Sequence, residues 1–108
     1  MDENLRKIKE IILNIAKEMN IEIYKIILFG SRARGDYRED SDYDLLIITK
    51  EKLEKEKYWD FYSNLSKNLT EKIEAPIEIL VIDKNEFEKR KKYKGFIYFW
   101  ANKEGIII

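Results

Sequence analysis

Leu5, Ile8, Ile12, Ile15 and Met19 recur three or four positions apart, with lysine and glutamate filling the gaps. At about 3.6 residues per turn these five side chains share one face, so the spacing predicts an amphipathic helix. Asn20 is its expected stop. The pattern then changes. Residues 21–29, IEIYKIILF, are β-branched and aromatic, and Gly30 closes them, which predicts a largely buried strand. Residues 31–40 are polar and contain a glycine, the mark of a turn with one or two helical turns in it. Residues 42–49, DYDLLIIT, read as a second strand. Helical spacing returns with Tyr58, Phe61, Tyr62, Leu65 and Leu69, giving a helix over 51–72. Pro76 opens PIEILVI, a third strand, since proline is tolerated at a strand's first residue. Asp83 followed by Glu86 signals a capped helix start, with Gly95 as the expected break. Residues 96–104 predict a short helix and 105–108, GIII, a short extended piece. The order is α-β-(turn or short helix)-β-α-β-α-α, and a length of 108 residues predicts one domain, 1–108.

Composition narrows the chemistry more than the fold. With 44% hydrophobic residues and a net charge of zero, the chain can bury a core and carries no one-sided field. That removes the simplest case for binding nucleic acid, which favours a basic surface. There is no cysteine and no histidine. Disulfides, thiolate zinc sites, Ser-His or Cys-His nucleophilic pairs and imidazole acid–base catalysis are therefore excluded within these residues. The N-terminal residues, MDENLRKIKEIILNIAKEM, are charged throughout without an apolar h-region, and no apolar run approaches a membrane span. A cytoplasmic protein without membrane contact is the expectation. Abundant Ile, Lys and Glu without any Gln lean toward a hyperthermophile-like composition, although an AT-rich genome gives the same bias.

What remains for chemistry is carboxylate, hydroxyl and guanidinium. Asp42 and Asp44 stand two apart at the start of the second strand, so they project from one face. Two such carboxylates repel each other, and a divalent cation on oxygen ligands relieves the repulsion. Gly30-Ser31 ends the first strand and opens a turn whose backbone N–H groups form an anion site. Ser31 adds a hydroxyl, and Arg34 a planar fork suited to phosphate oxygens. Each signal alone has an ordinary explanation, a solvated pair or a plain turn. Joined in this order on two strands, they form the layout that holds a magnesium-bound nucleoside triphosphate.

The run Gly30-Ser31-Arg32-Ala33-Arg34-Gly35 followed by Ser41-Asp42-Tyr43-Asp44 resembles the signature of the DNA polymerase β-like nucleotidyltransferase superfamily. The Arg-Ala-Arg-Gly form, the small size and the closing Glu104-Gly105 before apolar residues resemble its minimal nucleotidyltransferase (MNT) branch, which includes antitoxins paired with HEPN-domain toxins. The resemblance implies an α+β, two-layer fold, a small mixed β-sheet with helices packed on it. It implies that Gly30, Ser31, Arg34 and Ser41 bind the nucleotide's phosphates and that Asp42 and Asp44 are catalytic and hold metal. The superfamily usually adds a third acid on a later strand, and Glu78 is the one residue that fits. Glu78 has two explanations, a third catalytic and metal-binding carboxylate or a solvent-facing position on an edge strand. The branch often has aspartate there, and the longer glutamate departs from that pattern. The implied reaction is Mg²⁺-dependent transfer of AMP from ATP, with two ions, to a hydroxyl of a HEPN-family toxin, that of a tyrosine, with release of pyrophosphate. The alternatives are an antitoxin that neutralises its toxin by binding alone and a small-molecule nucleotidyltransferase.

Three further groups stand outside this motif. Phe96, Tyr98, Phe99 and Trp100, with Trp59, Phe61 and Tyr62, are expected mostly in the core, where a small domain needs large side chains. Any of Trp59, Tyr98 and Trp100 left exposed is a candidate partner contact. The run Lys89-Arg90-Lys91-Lys92-Tyr93-Lys94 reads first as a solvated helix face and second as a contact for RNA or an acidic partner. Arg32 and Arg38 either assist phosphates or serve solubility.

Overall fold

The computed structural model describes residues 2–108. Nine elements follow in the order α1 (Glu3–Glu18), β1 (Ile23–Phe29), α2 (Ser31–Arg34), β2 (Tyr43–Thr49), α3 (Lys55–Lys72), β3 (Ile77–Asp83), α4 (Lys84–Arg90), α5 (Ile97–Glu104) and β4 (Ile106–Ile107). The strands form one mixed sheet in the order β3-β2-β1-β4. β1 is antiparallel to β2 and β4, whereas β2 and β3 run parallel.

β2 lies between β3 and β1, and five of its seven residues, Leu45 to Thr49, are consecutively buried. A continuous apolar run is what a strand covered on both faces requires. On one face, Leu45 and Ile47 pack with Ile26, Leu28, Ile79 and Val81 under α1 and α3. On the other, Leu46 and Ile48 pack with Ile27 and Ile82 against Phe87 of α4 and Ala101 of α5. The predicted stripe of α1 faces inward through Leu5, Ile8, Ile12 and Ile15.

The element ends carry their own physical causes. Asn20 adopts a left-handed φ of 57°, and the Asn20 and Ile21 amides donate back to the Lys17 and Ala16 carbonyls. That is the Schellman cap, and it takes Ile21 into the helix end, so β1 starts at Ile23 rather than residue 21. The helix expected over 51–72 starts at Lys55, because the Thr49 hydroxyl donates to the Glu51 carbonyl at 2.7 Å and holds that turn open. Asp83 caps α4 as anticipated, accepting the Glu86 amide at 3.1 Å. α4 ends at Arg90, before Gly95, since beyond Phe87 the same face offers only Lys91 and Lys94. Among the described residues no helix is long and apolar enough to cross a membrane.

The aromatic expectation needs correction. Of the seven residues only Phe61 is fully buried, whereas Trp59, Phe96 and Trp100 are exposed and Tyr62, Tyr98 and Phe99 lie between. The core is filled by isoleucine and leucine instead, which line both sheet faces. The basic run is largely a solvated face: Lys89 and Arg90 flank Glu86, and Lys91 meets Glu88.

Candidate active site

Sheet register builds the site. Phe29 of β1 pairs with Asp44 of β2, and Asp44 pairs with Glu78 of β3. Three residues in one transverse row of a sheet present their side chains to the same face. Asp42, two positions before Asp44, joins that face from just outside β2. One carboxylate oxygen from each of Asp42, Asp44 and Glu78 lies within 4.8 Å of the others. β3 is an edge strand and Glu78 is exposed on it, with its carboxylate beside the aspartate pair.

The cluster is electrostatically costly when empty of cations. Asp44 is pushed up from an ordinary 3.8 to about 6, first by burial, then by the charges of Glu78 and Asp42, with a hydrogen bond to Glu78 acting the same way and Arg34 opposing them. Three acid oxygens this close, with one aspartate held toward its neutral form, fit a hard divalent cation, which takes carboxylate oxygens and leaves positions for water and phosphate.

Gly30 joins this cluster to the adjacent turn. Its φ of 75° and ψ of −158° lie where only glycine is comfortable. A Cβ built there would fall on Asp44 Oδ2, with Asp44 Cγ at 3.2 Å. The bare glycine backbone thus lies directly against the central carboxylate. The Ala33 and Arg34 amides both reach the Gly30 carbonyl at 3.1 Å, while the first amides of the turn, at Ser31 and Arg32, precede any helical acceptor. Arg34 is exposed and touches Asp36 at 3.5 Å. Ser41 accepts the Arg38 amide at 2.8 Å through its hydroxyl oxygen, so it shapes the loop before Asp42.

Residues 7–98 match the family described as "Polymerase beta, Nucleotidyltransferase". The chain belongs to this nucleotidyltransferase family. Among curated proteins, "Putative protein adenylyltransferase MJ0141" of Methanocaldococcus jannaschii is 47% identical over 49 residues, 45% of this chain and 50% of that protein. The chain spans about half the length of the curated relatives it matches. A solved structure described as a "putative minimal nucleotidyltransferase" superposes with a TM-score of 0.59 at 25% identity, covering 100% of this chain and 97% of that one. A toxin–antitoxin crystal structure with AMP-PNP superposes at 0.56 with 16% identity, covering 92% and 70%, a likeness of fold. The minimal nucleotidyltransferase assignment and the mixed-sheet α+β fold expected from the signature both stand.

Within this member of the nucleotidyltransferase family the motif residues separate by place. Gly30, Asp42, Asp44 and Glu78 converge, Ser31 opens the turn beside them, and Arg34 reaches Asp44 through its charge. Arg32 makes contacts that neither expectation named. Its Nε donates to the Ser41 carbonyl and its Nη2 to the Glu39 carbonyl, both at 3.0 Å. Residue spacing alone gave no sign of this, because an arginine's acceptors here are backbone carbonyls of a loop.

Proposed function

We propose that the chain transfers AMP from ATP to a protein hydroxyl, with Mg²⁺ held by Asp42, Asp44 and Glu78. The observation that carries this is the meeting of the Asp42, Asp44 and Glu78 carboxylates on one face of β2 and β3, with the central one, Asp44, against the Gly30 backbone. Two Mg²⁺ ions are proposed there; bound, they would polarise the α-phosphate, acidify the acceptor hydroxyl and offset charge on the departing pyrophosphate. The Gly30–Ser31 turn and the Ser31 hydroxyl would hold the triphosphate, with Arg34 adding charge and Ser41 a further hydroxyl. In the transfer, the acceptor oxygen bonds to the α-phosphorus, the bond to the β-phosphate oxygen breaks, and pyrophosphate leaves. Glu78, on the edge strand, would help hold the metal or take the hydroxyl proton.

A cleft of about 390 Å³ adjoins Glu78 on the side of β3, walled by Phe29, Tyr62, Ser66, Thr70 and Ile97 among others. None of its described lining residues is a lysine or arginine. Apolar walls with hydroxyls and one carboxylate favour an uncharged hydroxyl acceptor such as tyrosine over the phosphate-bearing end of a nucleic acid. The acceptor proposed is a tyrosine of a HEPN-family toxin, with this chain as its antitoxin. The names of the curated adenylyltransferase relatives and the fold shared with a toxin–antitoxin structure support that choice.

The test is label transfer. The chain is mixed with α-labelled ATP, Mg²⁺ and lysate of its source cell, beside an Asp42→Asn/Asp44→Asn control. A labelled protein band that disappears in the control is expected, and its mass identifies the acceptor. A chain that captures a partner yet leaves it unlabelled refutes the catalytic proposal and favours neutralisation by binding.

A further inference from the structure

Arg32 has four partners beside the acidic cluster and no part in the reaction proposed above. It stands on α2, two residues after Gly30, and its fork closes on the carbonyls of Glu39 and Ser41. Its guanidinium lies 4.0 Å from the centre of the Tyr43 ring and 4.9 Å from that of Tyr37. Tyr43 is buried between the two aspartates in sequence, and its hydroxyl donates to Asp2 Oδ2 and accepts from Asn4 Nδ2, each at 3.3 Å. Asp2 is itself the cap of α1. A continuous set of contacts therefore runs from the start of α1, through Tyr43 and Arg32, to the carbonyl immediately before Asp42.

Asp42 needs such a support. Asp44 is fixed in the ladder by Phe29 on one side and Glu78 on the other, but Asp42 lies outside β2. The pairing of β2 with β3 begins at Tyr43, whose amide donates to the Pro76 carbonyl at 2.9 Å. Residues 36–42 are held instead by the Arg32 fork, by the turn in which Ser41 bonds Arg38, and at their start by the exposed contact of Arg34 with Asp36 at 3.5 Å. Without the fork, Asp42 hangs from a loop with one internal turn and a single exposed ion pair at Asp36.

We infer that Arg32 is a positioning residue: it clamps the 36–42 loop to α2, so that Asp42 stays beside Asp44 and Glu78 at a fixed reach from the Gly30–Ser31 turn. Its functional consequence rests on the proposed metal role of the three acids, whereas the clamp itself does not. The role demands arginine. A lysine is a point charge on a flexible stem and cannot bond two separate carbonyls while stacking on two rings. Arg32 and Arg34, two residues apart on α2, thus divide the work, Arg32 for loop geometry and Arg34 for charge at the acids.

The experiment uses the full chain without nucleotide, as wild type, Arg32→Lys and Arg32→Ala. Mn²⁺ affinity is read by electron paramagnetic resonance, amide hydrogen exchange is followed at residues 36–42, and the thermal midpoint is recorded. Both variants are expected to bind Mn²⁺ about tenfold or more weakly, as the loss of a supporting contact behind a metal ligand does. Both should exchange faster across 36–42 and melt within a few degrees of wild type. A lysine variant that binds Mn²⁺ like wild type overturns the inference, since charge alone then suffices. Unchanged exchange at 36–42 overturns it as well, and so does faster exchange throughout the sheet, which marks a general structural role. Should the wild type itself bind no Mn²⁺, the metal proposal fails, and loop exchange alone decides the clamp.

Discussion

Replacing Asp44 by asparagine should stabilise the cation-free protein while removing the central acid of the proposed metal site. Asparagine keeps the shape of the side chain and removes the charge that burial, Glu78 and Asp42 oppose. The native pKa of about 6 lies above the unfolded value, so the neutral carboxyl favours the fold at low pH. That contribution is fully present below 3.8 and is lost as pH rises through about 6. A shift of this size corresponds to roughly 3 kcal/mol for a fully enclosed group. Water reaches Asp44, and screening reduces the figure to about 1–2 kcal/mol. For a chain of this length that is a rise in midpoint on the order of 4–15 °C. The assay is thermal unfolding in EDTA, followed by circular dichroism, for wild type and Asp44→Asn across the acid and neutral range. The gap between the two should be small near pH 4, open through about pH 6 and stay level above it. Mg²⁺ should then narrow the gap by stabilising only the wild type, because a ligand that binds the native state adds to its stability. An equal gap at about pH 4 and pH 7.5, or no gap at neutral pH, would refute the account of Asp44 as a strained, ionised group.

Other substitutions test the frame around the site. Gly30→Ala meets both a left-handed φ and the Asp44 carboxylate, so it should cost about 1–3 kcal/mol in urea unfolding and abolish Mg²⁺-induced stabilisation. Phe61→Ala empties a fully buried position on the inner face of α3 and should cost about 3–5 kcal/mol, whereas Trp59→Ala, two residues away and exposed, should stay below about 1 kcal/mol; the paired denaturation midpoints check both. Asp83→Ala removes the cap of α4 and should cost about 1 kcal/mol, with Asp83→Asn retaining most of it.

The elements were legible where a single period governed them. The stripe from Leu5 to Met19 and the apolar run from Leu45 to Ile48 determine α1 and β2 almost unaided. The site was legible for a different reason: alternation along a strand already places Asp42 and Asp44 on one face. Register was not legible, and it is register that brings Glu78 opposite Asp44 rather than one position away. Pairing of the final GIII with β1 was equally hidden, since a two-residue strand has no period to detect. Gly105 permits that pairing, as a Cβ there would press into the Ala101 carbonyl and the Ile27 side chain. Burial of the aromatics does not follow from their size, which says how much area a side chain can bury, not whether its position on the helix turns inward. Arg32 stayed invisible because its acceptors are carbonyls, which no residue identity announces.

The contact between Gly30 and Asp44 also constrains how this protein can change by descent. Any side chain at residue 30 would strike the carboxylate as it stands, so that position can accept one only if Asp44 is turned out of the cluster or shortened, and the positive φ would still penalise it. Either change in turn takes the central acid out of the cluster. The two positions form an epistatic pair in which the permissive step is also the disabling one. Among copies that lose the acid cluster, Gly30 should therefore be released second, and later than the exposed Asp42, whose loss relieves no steric conflict. The order of decay across such copies would be a historical record of which of the two neighbours held the other in place.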